Sequence, residues 1–141
     1  MGSLEEDAFV SLQRTADLLA RKGEKVLGSA DVSPTQYNVL RILRGSPDGL
    51  PCREVASRMI TRDPDVTRLL DRLEKRGLIS RRRETKDRRV VLARITPEGL
   101  NLLSGLDEPV LEMHRQQLGH MGRERLRGLI EVLEIARQKV G

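Results

Sequence analysis

The stretch Asp63–Thr96, DPDVTRLLDRLEKRGLISRRRETKDRRVVLARIT, decides the fold by the way it divides. Val66, Leu69, Leu70 and Leu73 stand at i, i+3, i+4 and i+7, one buried stripe on a 3.6-residue helix. Asp63 as N-cap and Pro64 at the first helical position read as its start. Gly77 reads as its left-handed stop, with Leu78 as the apolar partner that such a stop uses. Beyond Gly77 the periodicity changes. Residues 78–83 and 90–95 are β-compatible runs rich in branched side chains, and polar residues 84–89 separate them. The pattern predicts a β-hairpin with a strongly basic tip.

Upstream, Pro51 to about Met59 reads as a short helix with Val55, Ala56 and Met59 facing inward. Ser33-Pro34-Thr35-Gln36 carries three helix-start signals: an N-cap serine, a proline at the first position and a glutamine placed to close a capping box. Tyr37, Leu40, Ile42 and Leu43 supply that helix's apolar positions, and residues 45–49 end it with turn chemistry. Glu5 to Leu27 is amphipathic, with Phe9, Leu12, Ala16, Leu19 and Val26 at helical spacing before a break at residues 28–31. Downstream, Thr96-Pro97-Glu98 starts a further helix, and helix continues to the end with an interruption near Gly119 to Gly122. The last helix carries Leu126, Leu129, Ile130, Leu133, Ala136 and Val140, widened by Val132 and Ile135. The acidic pairs Glu5-Glu6 and Asp107-Glu108 read as solvated helix ends. The order is four helices, a hairpin and two helices. The expected fold is mainly α with a small β-wing (α+β), a single domain over residues 1–141. Residues 33–96 form a winged helix-turn-helix lobe, flanked by helices within 5–30 and 97–141. Terminal helices this apolar leave more buried face than one small domain uses, so those flanks are read as dimerisation helices.

Charge points the same way. The 141 residues hold 26 Lys+Arg against 21 Asp+Glu. From Arg53 to Arg94 there are 14 bases and 7 acids, a local +7, while the other 99 residues sum to −2. The basicity therefore has an address, and it coincides with the helix-turn-helix and its hairpin. One cysteine excludes a disulfide framework. His114 and His120 lie six apart with no zinc motif, so no metal site is expected. No Ser/His/Asp grouping, glycine-rich phosphate loop or nucleotide fingerprint is present, so neither an enzyme nor a bound cofactor is expected. No apolar run approaches the roughly 20 residues that cross a bilayer, and the chain starts acidic where a signal peptide is basic. The expectation is a cytoplasmic protein without a membrane partner.

Two short helices and a basic hairpin suit double-stranded DNA, because a helix fits the major groove while a β-ribbon tip reaches an adjacent minor groove. On a wheel, the apolar stripe of the helix after Asp63 lies opposite Pro64, Arg68, Asp71 and Lys75, with Asp65, Thr67 and Arg72 on the shoulders. Arg68 and Arg72, one turn apart, suit bidentate bonds to guanine or phosphate. Asp65 has two readings of equal weight: it accepts from a cytosine amino group, or it caps its own helix. In the hairpin, Arg88 and Arg89 suit a narrow minor groove, with Asp87 bracing one guanidinium. Arg81, Arg82, Arg83 and Lys86 suit phosphate contacts. The alternative is a winged-helix module whose basic face docks on an acidic protein.

Residues 66–79, Asp87-Arg88-Arg89 running into Val91 to Thr96, and Thr96-Pro97-Glu98-Gly99 together resemble the MarR-type bacterial transcriptional regulators. They match that family's recognition helix, its wing and the start of its long fifth helix, and the likeness covers nearly the whole chain. The resemblance implies a homodimer built from the first helix and the last two. It also implies a pseudo-palindromic operator, usually repression, and release by a small, often phenolic, effector or by oxidation. It places Pro64, Asp65, Thr67 and Arg68 at base and phosphate contacts, and Arg89, braced by Asp87, in the minor groove. It places an effector pocket between the dimer helices and the DNA-binding lobe, with Tyr37 and Arg41 as liners. Asp63 and Asp65 depart from the family pattern, where Ser, Gln or Thr is common. Oxidation-sensing members carry their cysteine in the first helix; here the cysteine is Cys52, read as structural.

Overall fold

The computed structural model describes residues 2–140. Helix α1 spans Leu4–Gly28, and Asp31, in the left-handed region at φ 55°, turns the chain into α2, Pro34–Arg44. The Ser33 hydroxyl accepts from the Gln36 N–H while the Gln36 side chain accepts from the Ser33 N–H, so the expected capping box is closed. After β1, Leu50–Pro51, come α3, Cys52–Arg58, and α4, Val66–Lys75. Strands β2, Ile79–Arg83, and β3, Val91–Ile95, form the hairpin. Helix α5, Pro97–Leu118, a short 3-10 turn at Gly119–Met121 and α6, Arg123–Arg137, complete the chain.

Two boundaries differ from the sequence reading. The hairpin is part of a three-stranded antiparallel sheet in the order β1-β3-β2, because Leu50 pairs with Ala93 and Pro51 with Leu92. Pro51 therefore belongs to an edge strand, where its missing N–H costs nothing, rather than to the start of α3. Gly49 makes this possible: it sits at φ 98°, and a Cβ there would meet the Arg94 side chain at 2.8 Å and the Ala93 carbonyl at 3.1 Å. The second difference is at α4, which begins at Val66 with Asp65 as N-cap. Pro64 precedes the helix, and Asp63 instead accepts from the Asp65 N–H at 2.8 Å.

One core fills the winged lobe. Val39, Leu40 and Leu43 of α2, Val55 of α3, Leu69, Leu70 and Leu73 of α4, Ile79 and Ala93 of the sheet and Leu103 of α5 are all buried. Gly77 at φ 75° ends α4 as predicted: its N–H bonds to Glu74 and the Leu78 N–H to Leu73, which delivers Leu78 into this core. The Thr96 hydroxyl donates to the Gly77 carbonyl at 2.6 Å and accepts from the Gly99 N–H, tying the sheet's exit to both α4 and α5.

A second, smaller cluster joins Leu27 of α1 to Leu106, Val110 and Met113 of α5. Beyond it the helices are bare. Phe9, Leu12 and Leu18 are exposed on α1, and α6 buries no residue within the chain. Asp107 is not at a helix end but midway along α5, where both its oxygens accept from the Arg44 guanidinium at 2.9 and 3.0 Å. This fork docks α5 on α2. It holds Asp107 below the ordinary carboxylate value and Arg44 above the ordinary arginine value, in each case chiefly through the hydrogen bonds they share.

Candidate nucleic-acid interface

Helix α4 buries Leu69, Leu70 and Leu73, which turns its opposite side outward. Pro64, Thr67, Arg68, Arg72 and Lys75 are all exposed there. The two readings of Asp65 separate: its Oδ1 accepts from the Arg68 N–H at 3.0 Å, so it caps the helix that presents Arg68.

The hairpin tip is organised by its own polar groups. The Glu84 N–H bonds to Val90 and the Val90 N–H to Asp87, closing the turn. Asp87 accepts from the Arg89 N–H and Nε with one oxygen and from an Nη with the other, as anticipated. Arg89 hydrogen bonding holds the Asp87 carboxyl below its ordinary value, while the Arg89 side chain stays 91% exposed at the tip. Arg82, Lys86 and Arg88 are also exposed. Arg83 turns back, donating to the Arg88 carbonyl at 2.8 Å, so it supports the tip as well as facing solvent.

Arg81 departs from expectation. Its guanidinium is bonded to Asp71 and Glu74 of α4, and its backbone N–H also donates to Glu74 at 3.1 Å. The cause is the two-residue strand period: Arg81 shares a face with buried Ile79, and that face looks at α4. It is therefore internally paired rather than a free phosphate contact, and it engages Asp71, which itself stays exposed. Partial burial opposes the Arg81 charge, but the two carboxylates outweigh it and leave its pKa above the ordinary value.

Arg76 carried no role in the sequence reading. It donates to the Asp31 carbonyl at 2.7 Å and reaches Gln36, fastening the end of α4 to the α1–α2 corner. An open cleft of about 470 Å³ lies there, lined in part by Arg72, Lys75 and Arg76. A larger apolar cavity of about 690 Å³ lies between α1, α2 and α5. Tyr37 and Arg41 both line it, with the Arg41 guanidinium 5.9 Å from the Tyr37 ring centroid, a cation–π distance. His114, Gln117 and Met113 from α5 complete the wall, and no sequence pattern pointed to them. Cys52 is half-buried away from this cavity; burial pushes its thiol pKa up while the Arg81 charge opposes the shift, an unreactive setting.

Three helices closed by a β-wing, with exposed arginines on both the last helix and the wing tip, define a winged helix-turn-helix protein. The MarR family model matches residues 32–91. A MarR transcription factor from Planctomyces limnophilus is 40% identical, with a TM-score of 0.74 over 96% of this chain and 98% of that one. The HTH-type transcriptional regulator FarR of Neisseria gonorrhoeae is 28% identical over 124 residues, covering 88% of this chain and 84% of FarR. The transcriptional repressor CouR, solved on a 23-mer DNA duplex, is 27% identical with a TM-score of 0.86, over 98% of this chain and 97% of CouR. The chain belongs to the MarR family of transcriptional regulators. Among the described residues no helix is long and apolar enough to cross a membrane.

Proposed function

We propose that this chain works as a cytoplasmic, non-enzymatic homodimeric repressor on a pseudo-palindromic operator. Helix α4 lies in the major groove and the wing at the flanking minor groove. The observation that carries this reading is the pairing of charges: Arg68, Arg72 and Lys75 on α4 and Arg82, Lys86, Arg88 and Arg89 on the wing are outward, while Asp65 caps its own helix, Asp71 is paired with Arg81 and Asp87 braces Arg89. The bare apolar faces of α1 and α6 support the dimer, and CouR was solved on duplex DNA. The cavity holding Tyr37 and Arg41 supports a small aromatic effector, since it borders α2 of the DNA-binding lobe and α1 and α5 of the dimer arm.

Selection from random duplex DNA at moderate salt tests the reading, and absence of any sequence preference would overturn it. On the selected site, half-sites lie about one helical turn (~10 bp) apart. Arg68→Ala costs about 1–3 kcal/mol and relaxes preference at one position, whereas Arg82→Ala weakens binding to all sequences alike. A monomer with only non-specific DNA affinity would favour docking on an acidic protein instead.

A further inference from the structure

Helix α4 is charge-segregated across its exposed side. At 100° per residue, Arg68 and Lys75 stand at the outward centre, with Arg72 and then Arg76 to one side and Asp71 and then Glu74 to the other. Each side is fastened to a different neighbour. Arg76 reaches the α1–α2 corner, and the two acids are gathered by Arg81 of the wing.

The second fastening is the more elaborate. One Arg81 Nη serves both Asp71 and Glu74, the latter at 2.9 Å, and Nε adds a longer contact to Glu74 at 3.3 Å. The other Glu74 oxygen takes the Arg81 backbone N–H. Glu74 thus grips the strand itself as well as a side chain. On β3, the residue opposite Arg81 is the fully buried Ala93, so this point of the wing is held from both sides. Two residues further out, Arg83 bonds to the Arg88 carbonyl beside Asp87 and Arg89. The clasp and the tip contacts are joined through the β2 backbone between Arg81 and Arg83. The Arg81 side chain is only 20% exposed, while Asp71 and Glu74 stay 56% and 40% exposed, so the clasp is sheltered on the arginine side alone.

We infer that Arg81 is a positioning residue for DNA recognition: by clasping Asp71 and Glu74 it fixes the wing at one angle to α4, so that Arg68 and Arg89 meet their two grooves together. It also cancels two carboxylates that would otherwise stand beside the phosphate-facing ridge. This rests on the reading of α4 and the wing as the DNA-contacting pair.

The test uses the full chain on its selected site, with Arg81→Met, Arg81→Lys, Arg89→Ala and the triple variant Asp71→Asn/Glu74→Gln/Arg81→Met. Arg81→Lys keeps the charge but loses the fork, and it guards against a methionine variant that fails to fold. Both Arg81 variants are expected to weaken specific binding about tenfold, the scale of coupling within one bonded network. Minor-groove protection by the wing is lost from hydroxyl-radical footprints, while guanine N7 protection under α4 persists. The triple variant regains non-specific affinity but not the wing footprint. Arg89→Ala, costly in the wild type, costs less than about twofold once Arg81 is replaced, because the wing is already out of register. An intact wing footprint in Arg81→Lys, or full additivity with Arg89→Ala together with a salt slope reduced by about one, would make Arg81 an ordinary phosphate contact and overturn the inference. If the wild type selects no sequence at all, the DNA reading itself fails, and that result is distinct from either outcome.

Discussion

The winged lobe and the helical arm are both built from amphipathic helices, yet they end in opposite states. In the lobe, Leu40, Leu43, Leu70 and Leu73 are buried to within 1% of completion. In the arm, α6 buries nothing, and Ile130, Val132 and Ile135 stand more than half exposed. The difference lies in closure. Helices α2, α3 and α4 and the sheet each present an apolar face to the same centre, and Leu103 of α5 plugs it. The arm has only α1 against α5, and two helices cannot cover each other's stripes completely. On the function proposed above, the lobe complete within one chain is the reading head and the arm left incomplete is the face offered to a second copy.

The sharpest way to break that comparison is to charge the arm. Ile130→Asp with Ile135→Asp is expected to yield a monomer in sedimentation, with operator affinity down by about 10²–10⁴ through loss of linked half-sites and circular dichroism of the lobe unchanged. An undiminished dimer would mean that the exposed stripe serves something else. Truncation inside the lobe has a different signature. Leu73→Ala should cost about 2–5 kcal/mol in urea unfolding, whereas Ile135→Ala in a dissociated chain should cost no more than about 0.5 kcal/mol. Comparable losses would erase the distinction between the two regions. Smaller again is the α4 cap. Asp65→Ala should cost about 1 kcal/mol, while Asp65→Asn, which still caps, should leave both stability and the selected DNA sequence unchanged. A changed preference at one base pair would assign Asp65 a base-reading role beside the cap.

The smallest effect concerns the joint between the two regions. Arg44 depresses the Asp107 pKa below its ordinary value of 3.8. A carboxylate depressed on folding contributes stability that is complete above that ordinary value and is lost as pH falls through the lower, folded one. The pair is partly exposed, so Asp107→Asn should cost about 1 kcal/mol or less at neutral pH. The gap from wild type should close in thermal melts as the pH falls below 3.8 and through the lowered, folded value of Asp107. A gap that persisted in acid would show the contact to be steric rather than ionic.

Much of the site was legible because it depends on local rules. The capping box at Ser33–Gln36, the stop at Gly77 and the brace of Asp87 on Arg89 each involve residues within five positions of one another. What escaped was non-local or two residues long. β1 is too short to show a period and contains a proline; only pairing with residues 92 and 93 makes it a strand. Arg81 sat in a run of three arginines that looked uniform, and only the strand's facing set it against Asp71 and Glu74. That signal was in principle available, since Ile79 fixes which face of β2 is inward. Arg76, His114 and Gln117 gave no such hint, because their partners lie tens of residues away.

Period and punctuation in the sequence determined the order of elements, the outward side of α4 and the concentration of positive charge between Arg53 and Arg94. Each follows from steric and hydrophobic preferences acting over one or two turns. The tertiary structure alone decided which of those charges are free. Arg81 was withdrawn into a clasp and Asp107 was moved from solvent to a fork on Arg44. Net charge is additive along a chain, but availability depends on which opposite charge the fold brings within bonding distance, and only packing sets that distance.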